Sequence, residues 1–230
     1  MKNNKIIIFC LVMFFVISIA GTVQAQLTAD ETKIERSIAV LEEMAIRKEE
    51  GRAFKQLLGM AEGIVVYPRL VNIGWGVGVM FGEGVVLRRD RNNNEWYGPA
   101  FIEVKTASVG LQAGIQEITL VLVLMDSEGV NVFKKTDFEI GADIRIAPGP
   151  LGDSLQASVS LNDSIYSYSY SEGIYAGFSL AGSVIHADSK ANRNFYGGNI
   201  TAEEILNTKK VNNEVALKMI QTINRINIKE

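Results

Sequence analysis

The sequence predicts an α+β protein, with a mainly antiparallel β sandwich or barrel-like sheet flanked by N- and C-terminal helices. Apolar residues recur at helical spacing near both ends of the chain and alternate with a period of two in between. The chain has 21 glycines and only 4 prolines, which is typical of a β-rich fold with tight turns. The order of helix, many strands and helix favours an antiparallel sheet over repeated βαβ units.

The first 25 residues have the pattern of a secretory signal peptide. The basic segment MKNNK precedes the apolar run IIIFCLVMFFVISIAG, and Val23 and Ala25 fit a small-residue cleavage site. We therefore expect a mature chain that starts at Gln26 and is periplasmic or secreted. An uncleaved membrane anchor is the alternative, although the apolar run is slightly short for a membrane span.

Cleavage before Gln26 would remove the single cysteine, Cys10, and with it any disulfide or thiol chemistry. It would also remove two of the 23 basic residues and none of the 26 acidic ones, leaving a net charge of −5 that argues against nucleic acid as a partner. No linker divides the remaining residues, so we expect one domain over 26–230. Its parts are N-terminal helices (26–60), a β-rich core (61–187) and a C-terminal helical segment (188–230).

Two helices are predicted before the sheet and further helix after it. Thr28 and Glu31 form a capping box at the start of the first helix, which we expect Gly51 to close. The second helix covers RAFKQLLGMA. A second capping box, Thr201 with Glu204, opens the C-terminal helical segment, and NEVALKMIQTINRI predicts its last helix.

Between the helices, stretches of period two predict a series of short strands. The run GIVVYP ends at Pro68, RRDRNNNEW is a predicted turn, and GPAFIEVKTASVGLQAGIQEITLVLVLM predicts two or three strands. A short helix is expected around residues 132–138, followed by a strand in ADIRIAPGP. In GWGVGV, glycines leave one side of a strand bare, so we expect a neighbouring backbone or helix to pack close there.

A long hairpin is predicted for residues 154–187, with Glu172 and Gly173 at its turn. Tyr166, Tyr168 and Tyr170 then share one face of its first strand. We interpret them as a wall of the fold, and the lining of a lipid pocket is the alternative.

The sequence offers little for catalysis. His186 is the only histidine and lies two residues before Asp188, and an imidazole held by a carboxylate could act as a general base. No nucleophile motif accompanies the pair, and one histidine without a mature cysteine cannot build a zinc site. We therefore predict a protein that is not an enzyme and has no cofactor and no metal.

Basic residues form three small groups, at Arg88, Arg89 and Arg91, at residues 134–135 and at residues 209–210. Each group could meet lipid phosphates, because cations near an anionic surface are attracted to it. Each could equally be an ordinary solvated turn.

With these pieces in place, the chain resembles the SYLF domain family, also known as the Ysc84 actin-binding domain, which occurs in bacteria as exported lipid-binding proteins. The resemblance covers about Glu35 to Leu206 and implies binding rather than catalysis. Eukaryotic relatives bind phosphoinositides and some bind actin filaments, with lipid contact attributed to an N-terminal amphipathic helix and basic residues. The matching segments, in order, are AEGIVVYP, GWGVGV, WYGPAFI, SVGLQAG, GADIRIAPGP, YSYSEGIYAGFSLAG and NFYGGNITAEEIL.

The resemblance leads us to expect an exported, membrane-associating protein whose partner is a phospholipid or a membrane surface. The first helix is acidic, so the second, with its basic and apolar residues, is the better candidate for an interfacial helix. The same apolar spacing would also suit a helix packed on the core. The alternative function is a structural or adaptor module that binds a protein partner in the envelope. The predicted lipid-binding residues are Arg52, Phe54, Lys55, Leu57, Leu58, Arg88, Arg89 and Arg91.

Overall fold

A computed structural model describes residues 27–152, 161–172 and 180–227, without the side chains of residues 75–77, 108–113 and 171–172. The described strands form one six-stranded sheet with helices at both ends of the chain, so the predicted α+β class is confirmed. The elements in chain order are α1 (Ala29–Ile46), α2 (Gly51–Met60), β1 (Gly63–Asp90), β2 (Glu95–Leu124), α3 (Ser127–Val132), β3 (Asp137–Glu139), β4 (Ala147–Pro148), β5 (Ile165–Glu172), β6 (Val184–Ala187), α4 (Ser189–Tyr196), α5 (Ala202–Thr208) and α6 (Glu214–Ile226).

Helix α1 starts at the predicted capping box. The Thr28 hydroxyl accepts a hydrogen bond from the Glu31 amide at 3.1 Å, and the Glu31 carboxylate accepts one from the Thr28 amide at 2.9 Å. The prediction that Gly51 closes this helix is wrong, because α1 ends at Ile46 and Gly51 is the first residue of α2. A Cβ atom on Gly51 would lie 2.6 Å from the Ala45 carbonyl oxygen, so glycine allows the close approach of the two helices.

One long antiparallel hairpin forms most of the sheet. β1 and β2 pair from Gly63 opposite Leu124 to Asp90 opposite Glu95, and the predicted turn joins them at residues 91–94. The prediction of several shorter strands is wrong here. The interruption expected at Pro68 is a register shift within a continuous ladder, because a bulge lets a strand absorb a residue that cannot donate a hydrogen bond.

Strand β1 folds back against itself. The Arg89 amide donates a hydrogen bond to the Glu62 carbonyl oxygen at 2.7 Å, so the two ends of the strand lie side by side. A Cβ atom on Gly84 would lie 2.7 Å from the Val66 carbonyl oxygen, a distance that only glycine permits. The sheet is therefore curled.

The curl places residues 70–82 at a bend, because the backbone next to Gly82 also meets the backbone of Arg69. A Cβ atom on Gly82 would lie 2.6 Å from the Arg69 carbonyl oxygen. A close backbone approach of the kind expected for the glycines of GWGVGV is found at Gly82 on the same strand, whereas the expectation for Gly74, Gly76 and Gly78 stays a prediction.

Strand β2 is the centre of the sheet. It pairs with β1 on one side, and on the other with β5 along 117–124 and with β6 along 102–105. Strand β3 pairs antiparallel with the other edge of β6, and the two-residue β4, which is the only strand part of ADIRIAPGP, runs parallel to β5. The described parts of β5 and β6 pair with β2 rather than with each other. The turn predicted at Gly173 and the register beyond it fall on residues 173–179, outside the described residues.

Both faces of the central strands are buried. Val121 and Val123 enter a core covered by α1, α2 and α6, whereas Leu120 and Leu122 enter a second core that includes residues of α3 and α5. Successive residues of a strand point to opposite faces. This arrangement explains why the segment 118–125 is almost continuously apolar.

Two short helices differ from expectation. α3 precedes the predicted segment 132–138, because the Asp126 side chain accepts a hydrogen bond from the Gly129 amide at 2.9 Å and caps the helix there. α4 was not predicted, although Asp188 caps its start and Gly197, with φ +74°, ends it. The capping box at Thr201 opens α5, and the last predicted helix is confirmed as α6.

The tyrosines of β5 face α1 and α2. Tyr166 and Tyr168 are buried in the first core, and the Tyr168 hydroxyl donates to the Pro150 carbonyl oxygen at 3.2 Å. The Phe54 ring of α2 meets the Tyr168 ring edge-on, with centroids 5.4 Å apart. These contacts agree with the interpretation of the tyrosines as a wall of the fold.

Candidate functional site

The structure brings the two predicted lipid-binding segments together. The Arg89 guanidinium donates to the Gly59 carbonyl oxygen at the end of α2 at 3.3 Å. The Arg91 guanidinium lies 3.7 Å from the Glu62 carboxylate, just after the same helix. The turn between β1 and β2 and the C-terminal end of α2 therefore form one surface.

The apolar half of that predicted site lies in the core. Phe54, Leu57 and Leu58 are each 0% exposed and pack among the residues of the first core. Helical spacing of apolar residues is the same whether the partner is a membrane or a protein core. In this fold the three side chains contact protein, so their role in lipid contact stays a prediction that requires α2 to leave the core.

The basic half of the site is partly at the surface. Arg52 is exposed and Lys55 is half-buried on α2, and the Arg91 side chain is 55% exposed. Arg88 and Arg89 are held by the fold. The Arg88 guanidinium stacks on Tyr97, 4.7 Å from the ring centroid, and donates to a backbone carbonyl of α5, and Arg89 stacks on Trp96 at 6.0 Å.

His186 and Asp188 do not form a catalytic pair within the described residues. The Asp188 carboxylate accepts a hydrogen bond from the Ala191 amide at 2.9 Å, as the N-cap of α4. Its other oxygen lies 3.9 Å from the Lys33 ammonium. Nor do the described residues contain a cluster of acidic, histidine and cysteine side chains that could hold a metal ion.

A second surface, which the sequence did not predict as a site, lies at the bend of the long hairpin. Here residues 70–82 of β1 pair with residues 104–118 of β2, with Val71 opposite Glu117 and Phe81 opposite Lys105. No charged residue occurs in 70–82 or, on the paired strand, in 106–116. We call these two paired segments the hairpin apex. Among the described strands, β5 ends its pairing with β2 at Glu117 and β6 at Lys105, so the apex strands pair with each other alone.

Four large apolar side chains of the apex are exposed. Ile73 is 44% exposed, Val79 53%, Phe81 42% and Ile115 72%. Ile73 lies directly opposite Ile115 and forms one exposed pair with it, whereas Val79 and Phe81, two residues apart on β1, form a second pair on the other side of the register shift between Trp75 and Val77. Met80, on the opposite face, is buried.

Charged pairs border the apex. Arg69 and Glu117, the residues just outside its two strands at one end, form an ion pair. Past its other end, Lys105 lies 2.7 Å from Glu103, and Glu83 lies 3.0 Å from Lys33 of α1. The apex is therefore an uncharged part of the ribbon with exposed apolar side chains and a charged boundary.

A cleft of about 520 Å³ opens beside this boundary, between α1 and the strands β1, β2 and β5. Arg36 and Glu43 of α1 line one wall, and the ion-paired Arg69 and Glu117 line the other. Tyr170 also lines the cleft, with its hydroxyl donating to the Glu43 carboxylate at 2.8 Å.

Tyr170, Glu43 and Arg47 hold one another in place at the cleft. Burial and the hydrogen bond to Glu43 raise the pKa of Tyr170 to about 12, so the hydroxyl remains a donor at neutral pH. The Arg47 guanidinium lies over the Tyr170 ring, 4.6 Å from its centroid, and 3.6 Å from the Glu43 carboxylate. Arg36 is exposed and forms no hydrogen bond or ion pair with the described residues.

No helix in the described ranges combines the length and the apolar character that crossing a bilayer would require.

Comparison with known proteins gives a consistent set of relatives. A family model described as Ysc84, Las17-binding protein actin regulator, matches residues 105–226. The chain is similar to SH3 domain-containing YSC84-like protein 1 of Bos taurus, with 32% identity over 153 residues that cover 65% of this chain and 44% of that protein. No solved structure matches the chain.

Two yeast proteins are also similar. Protein YSC84 of Saccharomyces cerevisiae is 33% identical over 130 residues, which cover 54% of this chain and 28% of that protein. LAS seventeen-binding protein 3 of the same yeast is 31% identical over 155 residues, which cover 65% of this chain and 33% of that protein. The chain thus matches less than half the length of each of these curated relatives.

Proposed function

The chain belongs to the Ysc84 family, the family that the sequence resembled, and we propose that it is an exported, non-catalytic binding protein that associates with lipid membranes. The descriptions of its relatives name a binding partner, Las17, and actin regulation rather than a reaction. Those partners belong to the relatives. For this chain, export rests on the predicted signal peptide, and lipid association rests on the surface of the fold.

The observation that carries the proposal is the hairpin apex. It exposes Ile73, Val79, Phe81 and Ile115, and charged residues occur only at its boundary. Fully burying one large apolar side chain is worth about 1.5 to 3 kcal/mol. Moving the exposed parts of four such side chains out of water is therefore worth roughly 3 to 6 kcal/mol. That amount supports reversible attachment to a membrane surface.

The exposed cations of the predicted site would add to this attachment only if they reach the same membrane. Arg91 lies at the far end of β1 from the apex, next to the β1–β2 turn. Apolar contact is little affected by salt, whereas attraction of exposed cations to anionic lipids is screened. Binding through the apex is therefore expected to persist at high salt.

Replacing Ile115 with aspartate tests the proposal by co-sedimentation with phospholipid vesicles. The chain used begins at Gln26, the predicted mature start, and contains every described residue. We expect Ile115→Asp to lower vesicle binding at least about tenfold, because a carboxylate disfavours the bilayer by more than about 1.4 kcal/mol. The side chain is 72% exposed, so folding should be retained.

Leu217→Asp is the matched control, since Leu217 is an exposed leucine, 40% accessible, on α6. This variant should bind vesicles like the unmodified chain. Failure of the unmodified chain to bind any vesicle would refute lipid association. Equal binding by Ile115→Asp and Leu217→Asp would show that the apex is not the contact.

A structural or adaptor role in the envelope is the second candidate, because the relatives are described by the proteins that they bind. Recovery of one stoichiometric protein partner with the chain, together with no binding to vesicles, would favour this role over lipid association.

A further inference from the structure

The cleft lies at the charged boundary of the apex, so a membrane that contacts the apex would also approach the cleft. Arg69 and Glu117 line the cleft and are also the residues that border the apex. When the uncharged apex enters the apolar layer, this boundary lies at the level of the lipid head groups. The cleft would then face the head groups directly.

The charges of the cleft are of both signs. Glu43 and Glu117 have side chains that are 51% and 49% exposed. Each carboxylate already has a cationic neighbour, Arg47 for Glu43 and Arg69 for Glu117, and each retains free lone pairs. Arg36 is the cation of the cleft that forms no ion pair with the described residues, and it lies on the same face of α1 as Glu43, seven residues away.

A ligand that matches this arrangement carries one anionic and one cationic group. A guanidinium binds phosphate oxygens with two parallel hydrogen bonds, which favours Arg36 as the phosphate ligand. Carboxylates favour an ammonium group with hydrogen atoms to donate. Between the charged residues, Val40 and Ile118 supply an apolar floor. The volume of about 520 Å³ lies within the usual range for small-ligand pockets.

We propose that this cleft binds the phosphoethanolamine head group of a membrane phospholipid. The Arg36 guanidinium binds the phosphate, and the carboxylates of Glu43 and Glu117 face the ammonium group. Tyr170 holds Glu43 in place through its hydroxyl. This assignment rests on the proposed membrane association and adds to it the lipid class that the protein prefers.

Vesicle binding by the chain from Gln26 tests the assignment, with phosphatidylethanolamine mixed into phosphatidylcholine in one set and phosphatidylcholine alone in the other. We expect tighter binding to the mixed vesicles. Arg36→Gln should reduce that preference about tenfold, because it removes hydrogen bonds between charged groups. Its binding to phosphatidylcholine alone should not change, because the trimethylammonium group has no hydrogen atom to donate to Glu43 and Glu117 and this head group therefore does not occupy the cleft. Arg145→Gln, at another exposed arginine, is the control and should keep the preference.

The outcomes separate the two proposals. If the unmodified chain binds no vesicles, membrane association fails. If it binds both sets equally, or if Arg36→Gln keeps the full preference, membrane association stands and the cleft assignment is overturned. A preference that Arg36→Gln retains would be explained by the effect of phosphatidylethanolamine on bilayer packing, because Arg36 does not influence that packing.

Soluble phosphoethanolamine provides the other arm of the experiment. If soluble phosphoethanolamine abolishes the preference of the unmodified chain for the mixed vesicles, and has no such effect on Arg36→Gln, recognition of the head group is supported. Binding of the soluble compound without any preference among vesicles would assign the cleft to a free metabolite and overturn its assignment to a lipid.

Discussion

Replacing Gly84 with alanine is expected to lower the free energy of unfolding by about 3 kcal/mol, since overpacking a closely packed site typically costs about 1 to 3 kcal/mol and a backbone atom cannot easily move aside. The new Cβ atom would lie 2.7 Å from the Val66 carbonyl oxygen and 2.7 Å from the Tyr67 ring. Relief would require the two halves of β1 to separate. Urea denaturation followed by circular dichroism would measure the change.

Gly198→Ala is the matched control, because a Cβ atom at Gly198 would meet no atom within 4 Å. Its free energy of unfolding should change by less than about 1 kcal/mol. Any change should be a small increase, because alanine lowers the conformational entropy of the unfolded chain. If Gly84→Ala and Gly198→Ala unfold at the same urea concentration, β1 does not fold back on itself as described, and the bend that exposes the apex would be in doubt.

Replacing Phe54 with alanine is expected to destabilise the protein by about 3 to 5 kcal/mol, the usual cost of removing a buried phenylalanine. Phe54 is fully buried and its ring contacts Tyr168. The variant would lose both the favourable free energy of moving the phenyl ring from water into the core and the aromatic contact. Thermal or urea denaturation of the purified chain would measure the loss.

Met60→Ala in the same helix is the control, since Met60 is 39% exposed and should cost less than about 1 kcal/mol. The comparison also decides between the two interpretations of α2. If Phe54→Ala leaves stability unchanged and abolishes vesicle binding, α2 is an interfacial helix as the resemblance implied. A large loss of stability assigns Phe54 to the core.

The local signals in the sequence were sufficient for the larger helices. The capping boxes at Thr28 and Thr201 mark helix starts by hydrogen bonds between residues three positions apart, so the sequence alone contains them. Asp188 and Gly197 mark α4 in the same way and were overlooked. The end of α1 could not be predicted from Gly51, because glycine serves equally at a helix end and at a close approach between two helices.

The length of the β1–β2 hairpin could not be predicted from sequence patterns. Glycines and a proline within a period-two run predict breaks between strands, yet the same residues occupy bulges and close contacts within one continuous strand. Which strand pairs with the tyrosine strand β5 depends on contacts between residues far apart in sequence. The predicted hairpin partner of β5 begins on residues outside the described ranges, and its pairing with β2 joins residues about 50 positions apart, which no local pattern contains.

The candidate sites differ in how many of their features can be recognised in the sequence. The apolar spacing of Phe54, Leu57 and Leu58 was visible, but periodicity does not distinguish a membrane from a core. The uncharged segments of the apex could also have been found, since charged residues are absent from 70–82 and from 106–116. That both segments lie at a bend, and that Arg36 and Glu117 line one cleft, follow only from the tertiary fold.

The most direct measurement of the central claim is the depth of the apex in a bilayer. The chain from Gln26 has no cysteine, so Ile115→Cys and Leu217→Cys can each be labelled with one environment-sensitive fluorophore. With vesicles that contain lipid-attached quenchers, we predict a blue shift and strong quenching at position 115 and neither at position 217. Vesicle-bound protein with no quenching at position 115, or with equal quenching at both positions, would contradict membrane contact through the apex.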